Sequence, residues 1–485
     1  MDTKFLADLD PEARPRFRAL ADLICLGVSS GEIPAGQKLP PVRDLAWTLK
    51  MSPGAVARAY KLAVERGALE ATVGRGTFAR VPGRRVDRTG AQAGAAAMPP
   101  PSAPRMANFL LDTPRGVGEG AIDLRGNQAP DVGQDQQIGT ALATLVAETG
   151  GAPPMTVYRR REEDLHLLDP FIAWLRHCGI EVKSDRLLIT TGAQAAVMGA
   201  VSALARGGSG VMIVTPTLHP GLRDVAAALG TRLEAVAVDD EGYLPDALDQ
   251  ACARLHPDAI QLTATLHNPT LSIMSLERRQ AIAAVARQRN VAIIEDDVYG
   301  QLIPDPLPTF ATLAPERTYY ITSLSKCVAA GLRAGFLIVP PGRLAATLRA
   351  YQAFACGTPW LVKALASVFV RTGAAQAVRD QVMAETQARV AIAARILGPH
   401  GAVTHPAASF VYLPLPAPWT SAEFVAAAAG EGVLVPPASA YRVERSEEFV
   451  RIALGARVDR GELSDGMTRL AQLLADGPMD ALAAT

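Results

Sequence analysis

Lys326 closes the run Thr322-Ser323-Leu324-Ser325-Lys326, directly after an apolar stretch, and Arg333 follows seven residues later behind Gly331-Leu332. A primary amine presented from a serine-rich loop can condense with an aldehyde. A nearby guanidinium can hold a phosphate. Four other segments also place polar groups just after apolar runs. They are Thr191-Gly192-Ala193-Gln194, Pro216-Thr217-Leu218-His219-Pro220, His267-Asn268-Pro269-Thr270 and Glu295-Asp296-Asp297-Val298-Tyr299.

Together these groups meet the demands of pyridoxal 5′-phosphate (PLP). That cofactor needs an amine for its aldehyde, an acid for its pyridine nitrogen, donors for its phenolate, a planar group on its ring face and a nest of donors for its phosphate. Singly, each residue has an ordinary use. A lone Lys is a surface charge, Asp296 or Asp297 caps a helix, His219 satisfies a loop, and Arg333 pairs with a surface acid. Five such segments in sequence, each after an apolar run, make the ordinary readings improbable as a set.

Apolar strand-like runs at 186–190, 210–215, 232–238, 259–264, 291–295, 318–322 and 334–339 must position these groups. Segments of helical length at 193–206, 221–229 and 275–290 separate several of them. Such alternation predicts a largely parallel sheet covered on both faces. In open α/β sheets, ligands gather at the carboxyl ends of the strands. Two long helical stretches over 341–397 lead into an α+β segment with strands at 409–413 and 449–454. This predicts a large part over about 155–340 and a small C-terminal subdomain over about 398–485.

Residues 1–80 follow a different pattern. A helical stretch at 20–30 ends in SSGEIPAG. A short helix follows from Leu39-Pro40-Pro41, then the turn Met51-Ser52-Pro53-Gly54 and a second helix over 55–65 carrying Val56, Tyr60 and Val64 on one face. Ser52 is the expected N-cap. Residues 72–80, around Gly74-Arg75-Gly76-Thr77, read as a two-stranded wing with a basic tip. The pattern predicts a winged helix-turn-helix for double-stranded DNA. Arg43, Ser52, Arg58, Lys61 and Arg75 are its expected contacts to phosphate and groove. Residues 81–120, rich in Ala, Pro and Gly, read as a flexible linker to a body over 121–485.

The chain has 485 residues and zero formal net charge. Through Arg88 it holds 15 Lys and Arg against 10 Asp and Glu, and the remainder holds 33 against 38. A basic head on an acidic body suits nucleic-acid contact by the head. The five cysteines (25, 178, 252, 327 and 356) are scattered and lack CxxC spacing. This predicts a reducing, cytoplasmic setting with no metal site and no disulfide framework. No apolar run approaches the length of a membrane span.

The stretches GEIPAGQKLPPVRDLA, SPGAVARAY and GRGTF resemble the winged helix-turn-helix of GntR-family regulators, with Ala55 where that family usually has Thr. The motifs TTGAQAA, LHNPT, IIEDDVYG, SLSK and GLRAGF resemble, in order, the type I (aspartate aminotransferase-like) fold. A chain with both is similar to the MocR subfamily of transcriptional regulators. The resemblance implies that Lys326 forms the Schiff base and Asp296 partners the pyridine nitrogen. It assigns Tyr299 and Asn268 to the phenolate, His219 to the ring face, and Ala193, Gln194, Ser323 and Arg333 to the phosphate. It assigns Arg451 to an effector carboxylate and sends Tyr158 to the partner subunit's phosphate in a homodimer. The segment after Tyr158, RRREEDLHLLDP, departs from the family's usual Gly and Arg. Three functions fit these expectations: a regulator sensing a small amine or amino acid by aldimine exchange at Lys326, a working aminotransferase with a DNA-binding head, or a sensor of PLP itself.

Overall fold

A computed structural model describes residues 16–30, 33, 37–65, 68–72, 76–79, 120–205, 210–444, 446–455 and 458–483. The chain divides into two compact units, residues 1–105 and 106–485. Arg75 and the expected linker up to residue 119 lie outside the described residues.

The first unit is built on three helices, α1 (Arg16–Ser30), α2 (Val42–Thr48) and α3 (Pro53–Glu65). Pro41 precedes α2, where a missing backbone N–H costs nothing. Ser52 Oγ accepts the N–H of Ala55 at 3.2 Å, so Ser52 caps α3. Helix α3 buries Val56, Ala59, Tyr60 and Ala63 against Leu20, Ala21 and Ile24 of α1, while Val64 is half-buried. The wing begins earlier than its glycines suggested. Leu69–Thr72 pairs antiparallel with Gly76–Ala79, in the register Leu69↔Ala79 to Thr72↔Gly76. Residues 37–39 add a third edge to it through Leu39 N–H to Thr77 O and Ala79 N–H to Gln37 O, at 2.8 and 2.7 Å. Arg43, Ser52, Arg58 and Lys61 are all exposed, and the Arg58 guanidinium stacks 5.1 Å from the Phe17 ring.

The second unit carries a seven-stranded sheet: β1 (Leu187–Thr190), β2 (Val211–Val214), β3 (Arg232–Ala235), β4 (Ala259–Leu262), β5 (Ala292–Asp296), β6 (Thr318–Ser323) and β7 (Gly335–Ile338). The spatial order is β1-β7-β6-β5-β4-β2-β3. Only β7 runs against its neighbours, pairing antiparallel with both β6 and β1. Successive residues along each strand enter different cores. Ile213, Ile260 and Ile293 join one cluster, whereas Met212, Ala259 and Ile294 join the other. Both faces are therefore covered, which explains why the strands read as unbroken apolar runs.

The region 341–397 holds three helices rather than two: Leu344–Ala355, Trp360–Arg371 and Ala374–Leu397. Gly357 and Gly373 both have positive φ, and they and Pro359 interrupt the helical pattern. In the C-terminal subdomain Phe410–Pro414 pairs antiparallel with Phe449–Ala453. Ile122–Asp123, at the start of this unit, pairs in parallel with Val433–Leu434. The first described strand of the body thus belongs to the last subdomain, and residues 124–127 are carried to the cleft between the two parts. Among the described residues, no single helix is long and apolar enough to cross a membrane.

Candidate cofactor and effector site

Four of the expected segments lie just beyond the carboxyl ends of β1, β2, β4 and β5, and Lys326 follows β6. Gly192 precedes the helix Ala193–Leu204 with φ of +88°, and a Cβ there would sit 2.7 Å from Arg333 Nη2. Glycine is required at this point on both counts. Gly335 makes the matching close approach, where a Cβ would lie 2.4 Å from the carbonyl carbon of Gly192. Arg333 itself adopts left-handed backbone geometry (φ 51°) and donates from Nη2 to Thr191 O at 3.2 Å. A helix N-terminus, a guanidinium and the buried Ser323 are so gathered into one anion-ready corner. Gln194 turns aside, donating from Nε2 to Gly221 O at 2.6 Å.

Lys326 Nζ donates to the main-chain oxygen of Asn127 and lies 6.0 Å from the centre of the Tyr299 ring. Burial, helped by the positive charge of Arg451, lowers its pKa to about 8, against the opposing pull of Asp296. Asp296 is raised to about 6 by burial, opposed by the Val298 N–H and by Lys326. Its Oδ1 is buried with no hydrogen-bond partner among the described residues. Alternation along β5 separates it from its acidic neighbours. Glu295 accepts the N–H groups of Phe310 and Ala311, each at 3.1 Å, and Asp297 accepts the Tyr320 hydroxyl at 2.7 Å. Burial raises the pKa values of both Glu295 and Asp297, with repulsion from Asp297 adding to the first and repulsion from Asp296 adding to the second. Of the three acids, Asp296 is the one that interacts electrostatically with Lys326.

The Tyr299 hydroxyl accepts Nδ2–H from Asn127 at 2.8 Å and from Asn268 at 3.4 Å. Ser409 Oγ in turn donates to Asn127 Oδ1 at 2.7 Å. His219 caps the helix Pro220–Leu229, with Nδ1 accepting the Gly221 N–H at 3.2 Å. The neighbouring protein atoms and the charges of Lys326 and Arg451 lower its pKa, although its surface remains exposed. Arg451, 2% exposed, donates from Nη2 to Arg125 O. Its guanidinium lies between the rings of Phe410 and Tyr441, at 5.9 and 5.5 Å. Its Nε and Nη1 have no hydrogen-bond partner among the described residues.

Tyr158 is not brought into this cluster. It is 92% exposed and borders a separate cavity of about 620 Å³ with Arg159, Tyr351 and Trp360. The arginine-rich segment behind it has structural uses. Arg159 Nε donates to the buried Asp164 at 2.7 Å, which also receives Lys363, and Arg161 donates to Ser184 O and Leu187 O. Sequence reasoning missed Asn127, Ser409 and Tyr441. Asn127 touches both Lys326 and Tyr299, yet it lies about two hundred residues before the lysine in an unremarkable Arg125-Gly126-Asn127 loop. Its only advance signal was a polar amide in a Gly/Pro-bounded stretch.

With this geometry in hand, the likenesses to known proteins are informative. Residues 149–470 match the family of class I and II aminotransferases, and residues 18–79 match the gntR family of bacterial regulatory proteins. The HTH-type transcriptional regulator YdeF of Bacillus subtilis is 28% identical over 473 residues, 96% of each chain. The 2-aminoadipate transaminase of Thermus thermophilus is 26% identical, over 72% of this chain and 88% of its own. A crystal structure of an archaeal alanine:glyoxylate aminotransferase superposes with a TM-score of 0.67 and 24% identity, over 74% of this chain and 92% of its own.

The chain is thus a PLP-dependent type I fold joined to a winged helix-turn-helix. It belongs to the class I and II aminotransferase family, in the form that carries a GntR-type head, as in MocR-type regulators. PLP is the cofactor of this class. The residues present fit it: Asp296 Oδ1, without a partner among the described residues, suits a pyridinium N–H, and Gly192 lets the Arg333 guanidinium approach the helix N-terminus where a phosphate would be held.

The lowered pKa of Lys326 gives a direct test on the cofactor-free protein. As pH rises, its neutral, nucleophilic fraction appears about two units earlier than for an ordinary lysine. Labelling of Lys326 by an amine-directed acylating reagent, quantified by peptide mass spectrometry, should have its midpoint near pH 8. Surface lysines should titrate above about pH 10. A Lys326 midpoint matching theirs would contradict the electrostatic account of the site.

Proposed function

We propose that this transcriptional regulator senses a small amine carrying a carboxylate, an amino acid in the simplest case, and reports its binding to the DNA-binding head. The observation that carries this reading is Arg451. A guanidinium kept out of water with Nε and Nη1 unpartnered is costly unless something supplies acceptors. A carboxylate offers two parallel oxygens in the matching geometry.

PLP, when bound, supplies an aldehyde carbon that condenses with primary amines. The chain's residues do the rest. Lys326 provides the resident amine that an incoming amine exchanges with. Asp296 holds the ring nitrogen's proton, a role its raised pKa of about 6 still permits at neutral pH. Tyr299, with Asn268 and Asn127 behind its hydroxyl, faces the phenolate. His219 would lie along the ring. Ala193, Ser323 and Arg333 would hold the phosphate, with Gln194 contributing through its main chain, and Tyr158 of a second copy would complete that corner in a homodimer. With the cofactor exchanged onto an incoming amine, Lys326 would no longer tie the loop after β6 to it. An effector that favours the freed arrangement shifts the body's conformational equilibrium by its differential affinity.

In the head, Arg43, Arg58, Lys61 and the basic wing tip neutralise phosphates of operator DNA. The likeness to a transaminase over most of the body keeps one other reading in view: amino-group transfer to a keto acid at useful turnover.

Spectral titration separates the readings. Purified protein loaded with PLP should absorb in the visible, and Lys326→Ala should abolish that band. Amino acids should alter the wild-type spectrum and DNA affinity together, with negligible turnover. A colourless wild type that takes up no added PLP would overturn the proposal, and sustained keto-acid turnover would favour the enzyme. For the head, Arg43→Ala should weaken binding to all DNA sequences and reduce the slope of log K against log salt by about 1. An unchanged slope would remove Arg43 from the phosphate contacts.

A further inference from the structure

Arg451 needs its aromatic sandwich to keep a fixed orientation, and the two rings are held in different ways. Phe410 lies on the strand Phe410–Pro414, hydrogen-bonded along its length to the strand that carries Arg451. Tyr441 sits on no strand. It follows the single 3₁₀ turn Ala438–Ala440, at a point where the C-terminal subdomain touches the large part. Such a turn leaves carbonyl oxygens without intrahelical partners. Two of them, with the carbonyl of Arg442 just beyond, face Arg223, from the helix Pro220–Leu229. Arg223 Nη1 donates to Ser439 O at 3.1 Å and Arg442 O at 2.5 Å, and Nη2 donates to Ala440 O at 2.8 Å. Backbone bonds continue the seam. Leu218 N–H donates to Tyr441 O and Val443 N–H to Pro216 O, both at 2.9 Å. The same loop then delivers His219, and Gly221 beyond it receives Gln194 from the phosphate corner.

We propose that Arg223 is a positioning residue for effector recognition: by clamping the 438–442 turn it holds Tyr441 against Arg451 and so sets the guanidinium for a carboxylate. This inference rests on the function proposed above and deepens it. It predicts that Arg223 governs the carboxylate half of recognition and leaves the amine half alone, because Lys326, Asp296 and Tyr299 are held by other bonds. A planar, forked guanidinium reaches three converging oxygens, whereas an ammonium reaches them only in part.

The test uses full-length protein loaded with PLP and a matched pair of ligands: alanine, and ethylamine, which is alanine without its carboxylate. Spectral titration gives half-saturation for each with wild type, Arg223→Met, Arg223→Lys and Arg451→Met. Arg223→Met should raise the alanine value about tenfold or more, the scale expected when a recognition group is displaced by about an ångström. The ethylamine value should stay within about twofold, the scatter expected of a site with its own contacts intact. Arg223→Lys should recover part of the loss.

Equal losses for both ligands would make Arg223 a structural staple and overturn the inference. So would an unchanged alanine value. If Arg451→Met loses the preference for alanine while Arg223→Met keeps it, the proposed function stands and this inference falls. A wild type that responds to neither ligand overturns both.

Discussion

Charge held out of water without its full set of partners is the constraint that shapes this body. Among the described residues, Arg451 keeps two nitrogens unpartnered at 2% exposure, and the Asp296 carboxylate keeps one oxygen so. Each group is expensive where it stands, because desolvation is complete and compensation is partial. The surrounding structure is organised to hold them regardless. Two aromatic rings bracket Arg451, an asparagine with its own supporting serine backs Tyr299, and a seven-stranded sheet packed on three apolar clusters anchors the strand ends. Stability supplied by those cores tolerates a cleft poised for ligands.

The same constraint explains what was legible beforehand. Six of the seven strands were visible because both sheet faces are buried there, which makes them largely apolar runs, whereas the edge strand β3 (Arg232–Ala235) is only part-buried and carries Arg232 and Glu234. The polar residues following those runs fell at strand ends for the same reason, so Asn268, Asp296, Tyr299, Lys326 and Arg333 were readable as a set. Ser52 was readable as a cap because N-caps have a local chemical cause.

What was hidden depends on long-range closure. Asn127 reaches the lysine only because Ile122–Asp123 crosses to pair with Val433–Leu434. Tyr441 and Arg223 meet through a turn whose carbonyls no sequence pattern announces. The wing's first strand, starting at Leu69, was obscured because the described glycine that marked the wing, Gly76, opens its second strand rather than its first. The three helices over 341–397 were read as two stretches because one of the short breaks, at Gly357 and at Gly373, was not distinguished from helix.

Under the proposed function, Lys326, Arg451 and the winged helix form one device only if cofactor exchange, effector binding and DNA binding are coupled. Coupling of this kind is reciprocal: whatever factor the effector applies to DNA affinity, DNA must apply to effector affinity. The most direct measurement is a spectral titration of the PLP-loaded, full-length protein with its best amino acid, with and without saturating operator DNA. The account predicts two curves displaced by the same factor that the amino acid imposes on DNA affinity, on the order of 5–150-fold for coupled sites. Superimposable curves would contradict it, because the body would then bind its ligand without informing the head.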